Sequence, residues 1–175
     1  MGLAETRKEL KKLTKDKLIE LISELYKKEK TAKEFFDFHA DPNEKALFET
    51  YREKMYAVFN PKRGRYSLLD AKKVISDFKK LKPSAEYLAD LMLFYVEVGI
   101  DLATVNNELN ENFYVSMENA YVAALTFMKK ENILRIFDSR AKELIVASEE
   151  IYWDMKYFLE ETYEEFYSDS EEETK

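Results

Sequence analysis

The stretch Ser84-Ala85-Glu86-Tyr87-Leu88-Ala89-Asp90-Leu91-Met92-Leu93-Phe94-Tyr95-Val96-Glu97-Val98-Gly99 decides the fold. Leu88, Leu91, Met92, Tyr95 and Val96 recur at helical steps, and Leu93, Phe94 and Val98 widen the stripe until it runs nearly all round. A helix apolar on almost every side sits at the centre of its domain, because only a shell of other helices can bury it. Pro83-Ser84 ends the preceding helix and caps this one, and Gly99 reads as a left-handed stop.

Outward from this segment the same period repeats. On the N-terminal side, Thr14 opens a helix with Leu18, Leu21, Ile22 and Leu25 in one stripe; the basic run Arg7 to Lys12 before it either extends that helix or frays, within residues 1–13. Thr31-Ala32-Lys33-Glu34 has the form of a capping box before the aromatic run Phe35, Phe36, Phe38. Asp41-Pro42-Asn43-Glu44 marks another start, with Asp as cap and Pro in the first turn. That helix carries Leu47, Phe48, Tyr51, Met55, Val58 and Phe59 and stops at Asn60-Pro61. Ser67 opens a helix through Ala71, Val74, Ile75, Phe78 and Leu81.

On the C-terminal side, Asp101 to Asn112 reads as the one substantial loop, followed by a helix from about Phe113 to Lys130. A turn at Glu131-Asn132 leads to Ile133, Leu134, Phe137, Ala141, Leu144 and Ile145, and the period resumes from Glu149 to Tyr167. The expectation is an all-α fold: a bundle of seven to eight helices, with a short superhelix of helix pairs as the alternative. Residues 1–167 read as a single domain and 168–175 as an acidic disordered tail.

Composition agrees and excludes several functions. Three Gly and three Pro in 175 residues are far below the usual shares of roughly 7% and 5%, as long helices with brief connections require. Without Cys there is no disulfide, thiolate nucleophile or Cys-ligated metal, and a reducing, cytoplasmic setting is the expectation. No apolar run is long enough for a membrane span. Met1-Gly2-Leu3-Ala4-Glu5-Thr6 matches the loose myristoylation pattern, which a start codon followed by Gly explains as well. A single His39 cannot supply the two Glu-x-x-His pairs of a di-iron bundle, and beside Phe35, Phe36 and Phe38 it reads as a helix-end residue. No cofactor or metal is expected.

Three stretches carry a family resemblance: Leu13-Thr14-Lys15-Asp16-Lys17-Leu18-Ile19-Glu20; Asp41-Pro42-Asn43-Glu44 running to Phe59-Asn60-Pro61-Lys62-Arg63-Gly64; and Ile75-Ser76-Asp77-Phe78-Lys79-Lys80-Leu81 into Leu88-Ala89-Asp90-Leu91-Met92. Over about residues 10–145 the chain resembles a family of small bacterial all-helical proteins of unknown function. The resemblance implies one helical domain and brings no activity, cofactor or catalytic residue.

Charge is sorted along the chain. Residues 1–82 hold 21 Lys and Arg against 14 Asp and Glu; residues 83–175 hold 7 against 21. From Glu149 onward there are 11 acids against two bases. Such asymmetry points to association rather than chemistry.

Four constellations follow. Lys62, Arg63 and Arg65 flank Gly64 just before a helix start, a place suited to an anion; the alternative is a solvated loop paired with internal carboxylates. Asp90 and Glu97 share one side of the central helix, as a carboxylate pair lining a pocket or, the favoured reading, an edge paired with cations of the basic half. Asn106, Glu108, Asn110 and Asn112 alternate as in a calcium loop but lack its Gly and closing Glu, so turn and cap chemistry explain them better. In the last helix Ile151, Met155, Phe158, Leu159, Thr162 and Phe166 form the inner stripe. Trp153 and Tyr157 fall on the other side among Glu150, Glu160, Glu161 and Glu164. Trp and Tyr are interface-anchoring residues, so this face is the candidate partner site, unless a neighbouring helix covers it.

The leading reading is therefore a non-enzymatic protein that binds a protein partner, a second copy of the chain included, through Trp153, Tyr157, Glu160, Glu161 and Glu164. Nucleic-acid or phosphate binding through Lys62, Arg63 and Arg65, with the acidic tail as internal competitor, is second, and the net charge of −7 opposes it. A carboxylate enzyme using Asp90 and Glu97 is third.

Overall fold

A computed structural model describes residues 2–106, 109–151 and 153–172. These residues form nine α-helices, one 3-10 turn and no strand. Contacts group the chain into two units, Met1–Asn43 and Glu44–Lys175, where the sequence reading takes 1–167 as one domain.

The N-terminal unit contains α1 (Leu3–Leu10), α2 (Lys15–Lys28) and α3 (Lys30–Ala40). The lead-in is a helix of its own: the Gly2 amide donates to the Glu5 carboxylate at 3.0 Å, and the basic run from Arg7 breaks at Lys11-Lys12. Thr14 caps α2 as expected, accepting from the Lys17 amide. The expected capping box at Thr31 is not the start of α3. Glu29 takes an extended conformation between α2 and α3, and its carbonyl accepts from the Lys33 amide at 2.9 Å. The helix thus nucleates before Thr31. Tyr26 ties the resulting hairpin, its hydroxyl donating to Asp37 at 2.7 Å. No residue of α1, α2 or α3 is buried.

The C-terminal unit holds α4 (Glu44–Phe59), α5 (Leu68–Lys80), α6 (Ala85–Val105), α7 (Glu111–Lys130), a 3-10 turn (Leu134–Phe137), α8 (Asp138–Ala147) and α9 (Met155–Glu172). The quoted stretch is its centre: α6 packs on α4, α5, α7 and α8, which a bundle provides and a linear stack of helix pairs does not. Leu91, Leu93, Tyr95 and Val96 have no exposed surface. Aromatic rings join the layers, Tyr51 to Phe78 at 4.9 Å and Phe59 to Tyr95 at 5.3 Å.

Two boundaries differ from the sequence reading. The helix α4 begins at Glu44, so Pro42 precedes it rather than filling its first turn, and the Glu44 carboxylate accepts from the Ser84 amide at 2.7 Å. Gly99 does not stop α6, which continues to Val105 and takes up the first half of the expected loop. Gly99 is needed for a different reason. A Cβ there would run into the Met117 side chain of α7, so any larger residue requires Met117 to shift and glycine lets α6 and α7 cross as they do. Close by in sequence, the buried hydroxyls of Tyr95 and Ser116 join α6 to α7 at 2.8 Å.

Candidate interaction surface

The helix α9 packs on α7 and α8. Met155, Leu159, Thr162 and Tyr167 are buried and Phe166 half-buried. The helix begins only at Met155, not Glu149, because α8 ends at Ser148, whose hydroxyl donates back to the Ile145 carbonyl. It runs on to Glu172, through part of the segment expected as a tail; residues 173–175 lie outside the described residues.

The inner stripe is also rotated. At 100° per residue, roughly, Met155, Leu159 and Phe166 centre a face that Tyr163 and Tyr167 widen, and Phe158 falls about 100° from its middle. Phe158 is accordingly exposed rather than inward. The Tyr167 hydroxyl donates to the Leu134 carbonyl at 2.9 Å, Tyr163 donates to Asp138, and the two rings stack at 4.3 Å. Tyr163 and Lys142 together hold the Asp138 carboxyl below the usual carboxylate range.

Trp153 and Tyr157 part company. Trp153 precedes α9 and is half-buried against α7. Its indole lies parallel to the Tyr114 ring at 5.3 Å, and its N–H donates to Glu118 at 2.9 Å. A neighbouring helix does cover this part of the expected face. Tyr157 is 70% exposed, and Glu160, Glu161 and Glu164 are exposed on the same side of α9. The tie from Trp153 to Tyr114 and Glu118 was not legible, because nothing in the spacing of one helix shows which side chains of another meet it.

The basic loop is a solvent-facing turn. Lys62, Arg63 and Arg65 are exposed, and among the described residues none makes an ion pair. Gly64 has φ +91°, and Tyr66 packs its ring edge-on against Phe113 at 5.3 Å. Ser67 caps α5 by accepting from the Asp70 amide at 3.2 Å, which puts an acidic side chain in the same first turn.

Asp90 and Glu97 are bridged by one guanidinium. Arg140 Nη1 lies 2.6 Å from Asp90, and Nη2 donates to Glu97 at 2.8 Å. A cationic partner was expected, but it comes from α8 in the acidic half, not from the basic half. Burial pushes the Asp90 carboxyl above its usual range, with Arg140 and Arg52 pulling the other way. Arg52 lies over the Phe94 ring at 4.3 Å. The ion bridge thus joins α6 to α8, and Arg52 of α4 adds only an attraction at longer range to Asp90.

His39 closes α3 with its ring parallel to Phe35 at 6.3 Å. Asn110 caps α7 by accepting from the Phe113 amide at 3.1 Å, as its turn-and-cap reading requires, while Glu108 lies outside the described residues. Among the described residues no group of three or more His, Asp and Glu is placed to hold a metal ion, and no helix is long and apolar enough to cross a membrane.

The sequence pattern of a family described as a family of unknown function, DUF6155, matches residues 1–167. The chain belongs to the DUF6155 family. Membership accords with the resemblance seen in the three quoted stretches and widens it from about residues 10–145 to residues 1–167. No curated protein and no solved structure matches this DUF6155 chain.

Proposed function

We propose that this chain is a binding module rather than an enzyme, and that it holds a protein partner on the outer face of α9. The carrying observation is Tyr157. It is a large aromatic residue, 70% exposed, on a helix whose other side is packed, and Glu160, Glu161 and Glu164 surround it. An isolated aromatic ring framed by carboxylates fits a partner with an apolar pocket rimmed by Lys or Arg, since Tyr supplies contact area at low entropic cost and the rim sets orientation. Phe158 extends the apolar edge. Trp153 supports this face from behind by fixing the start of α9 on α7. The absence of cysteine fits a cytoplasmic setting.

The test is affinity capture from native lysate with wild type, Tyr157→Ala, and a Glu160→Gln/Glu161→Gln/Glu164→Gln variant. A partner held by wild type, lost by Tyr157→Ala and weakened by the neutral variant supports the reading. Identical partner sets from all three proteins would end it.

A second reading rests on Lys62, Arg63 and Arg65, exposed and without ion pairs among the described residues. Nucleic acid or phosphate bound there must dissociate steeply with salt. A gel shift showing no complex at low salt, for the full chain and for the chain cut before Glu149, would remove it.

A further inference from the structure

The N-terminal unit presents an apolar face of unusual extent. In α2, Leu21, Ile22 and Leu25 are 47, 45 and 48% exposed and line up with the half-buried Leu18, while Ile19 flanks them at 51%. Phe35 of α3 is also exposed, and an open groove of about 500 Å³ between the two helices is lined by Ile22, Tyr26, Phe36 and His39 among others. Single exposed apolar side chains need no explanation, but a contiguous stripe on a strongly amphipathic helix does.

We propose that this hairpin is a dimerisation element, and that its occupant is the same hairpin of a second copy, paired about a two-fold axis into a four-helix arrangement. Three observations select a second copy. First, a unit of this size with no buried residue has no core of its own. Chains of about 40 residues usually gain stability by disulfide, metal or association, and the first is closed to a chain without Cys. Second, the unit is nearly neutral, with 10 Lys and Arg against nine Asp and Glu in residues 1–43. Its polar face is paired internally, Lys17 with Glu20 at 2.9 Å and Lys28 with Glu24 at 2.9 Å. Two copies of this unit, each with a net of +1, repel one another little, and no excess of charge on it calls for an oppositely charged partner. Third, no other element carries a stripe of this length: Tyr56, Leu69, Val105, Ile136 and Val146 lie on separate elements, and α9 adds only the adjacent Tyr157 and Phe158. A self-complementary stripe is what a two-fold interface requires.

The experiment is light scattering on the full chain over a wide concentration range, at low and high salt. The expected mass is twice 20.8 kDa, retained at high salt because apolar burial is not screened. A Leu21→Lys/Leu25→Lys variant is expected to return to 20.8 kDa, with Trp153 emission unchanged as a sign that the C-terminal unit is intact. Glu20→Lys, on the polar face, and Tyr157→Ala, on α9, are expected to keep the doubled mass. A single mass of 20.8 kDa at every concentration, or a doubled mass that survives Leu21→Lys/Leu25→Lys, overturns the proposal. Because Tyr157→Ala is a separate arm, failure here is distinct from failure of the α9 reading.

Discussion

Gly99→Ala opposes two effects of known size in one methyl group. In the interior of α6, alanine gains about 1 kcal/mol of helix propensity over glycine. The new Cβ, however, would stand 2.0 Å from Met117 Sδ, 3.1 Å from its Cγ and 3.3 Å from its Cε. Ordinary contact needs about 3.5–4.0 Å, so the sulfur must retreat by roughly 1.5 Å or more. Met117 has no exposed surface, so it cannot swing into solvent. Overpacking of this kind costs about 1–3 kcal/mol, with the flexibility of Met favouring the lower half. The net is a loss of about 0–1 kcal/mol, read as a fall in Tm of at most roughly 2–4 °C for a chain of this size. Met117→Ala alone costs about 2–5 kcal/mol through the cavity it leaves. In that background Gly99→Ala is expected to be neutral or stabilising, because its methyl enters the vacated space. Urea melts of the four proteins measure the coupling, expected at about 1–2 kcal/mol. If Gly99→Ala by itself stabilises by about 1 kcal/mol, propensity alone is acting and the close crossing of α6 on α7 is wrong.

Other outcomes are equally direct. Burial raises the Asp90 carboxyl, so the folded state holds that proton longer than the unfolded chain; Asp90's contribution to stability falls as pH rises from the usual carboxylate range through the raised value. Asp90→Asn should flatten that part of a stability-versus-pH curve, and an unchanged slope would refute the assignment. Tyr95, Tyr121 and Tyr167 are raised above the ordinary tyrosine value by burial, so ultraviolet titration should show them ionising only as the fold is lost, with stability declining above about pH 10. Their ionisation in a still-folded chain would count against the buried hydroxyls. Ser67→Ala removes the cap of α5 and should cost about 1 kcal/mol in denaturant melts, whereas no loss would mean that the Asp70 amide finds another acceptor.

The helical class, the central place of residues 84–98, and the caps at Thr14 and Ser67 were legible because each rests on a local rule of period or terminus. Shifted helix ends at Thr31, Pro42 and α9 are local, but the larger misreadings share one cause: the deciding atom belongs to another helix. Glycine after an apolar run serves a stop or a crossing equally well, and only Met117, 18 positions on, separates them. Arg140 bridges Asp90 and Glu97 from α8, whereas charge counted by halves pointed to the basic end. On the candidate face, Tyr157 and its carboxylates followed from helical spacing alone, whereas Trp153 depended on Tyr114 and Glu118. The stripe from Leu18 to Leu25 was legible as a stripe, but its period says only that it seeks cover, not from whom.

The single tryptophan also equips the molecule with a private optical reporter. Its indole is parallel to Tyr114 and hydrogen-bonded to Glu118, so its emission senses one junction, the entry of α9 onto α7. The N-terminal unit has no such chromophore and is silent in that channel. Melting followed by tryptophan emission and by far-ultraviolet dichroism therefore weighs the two units differently, and the gap between the two curves measures how far they unfold as one.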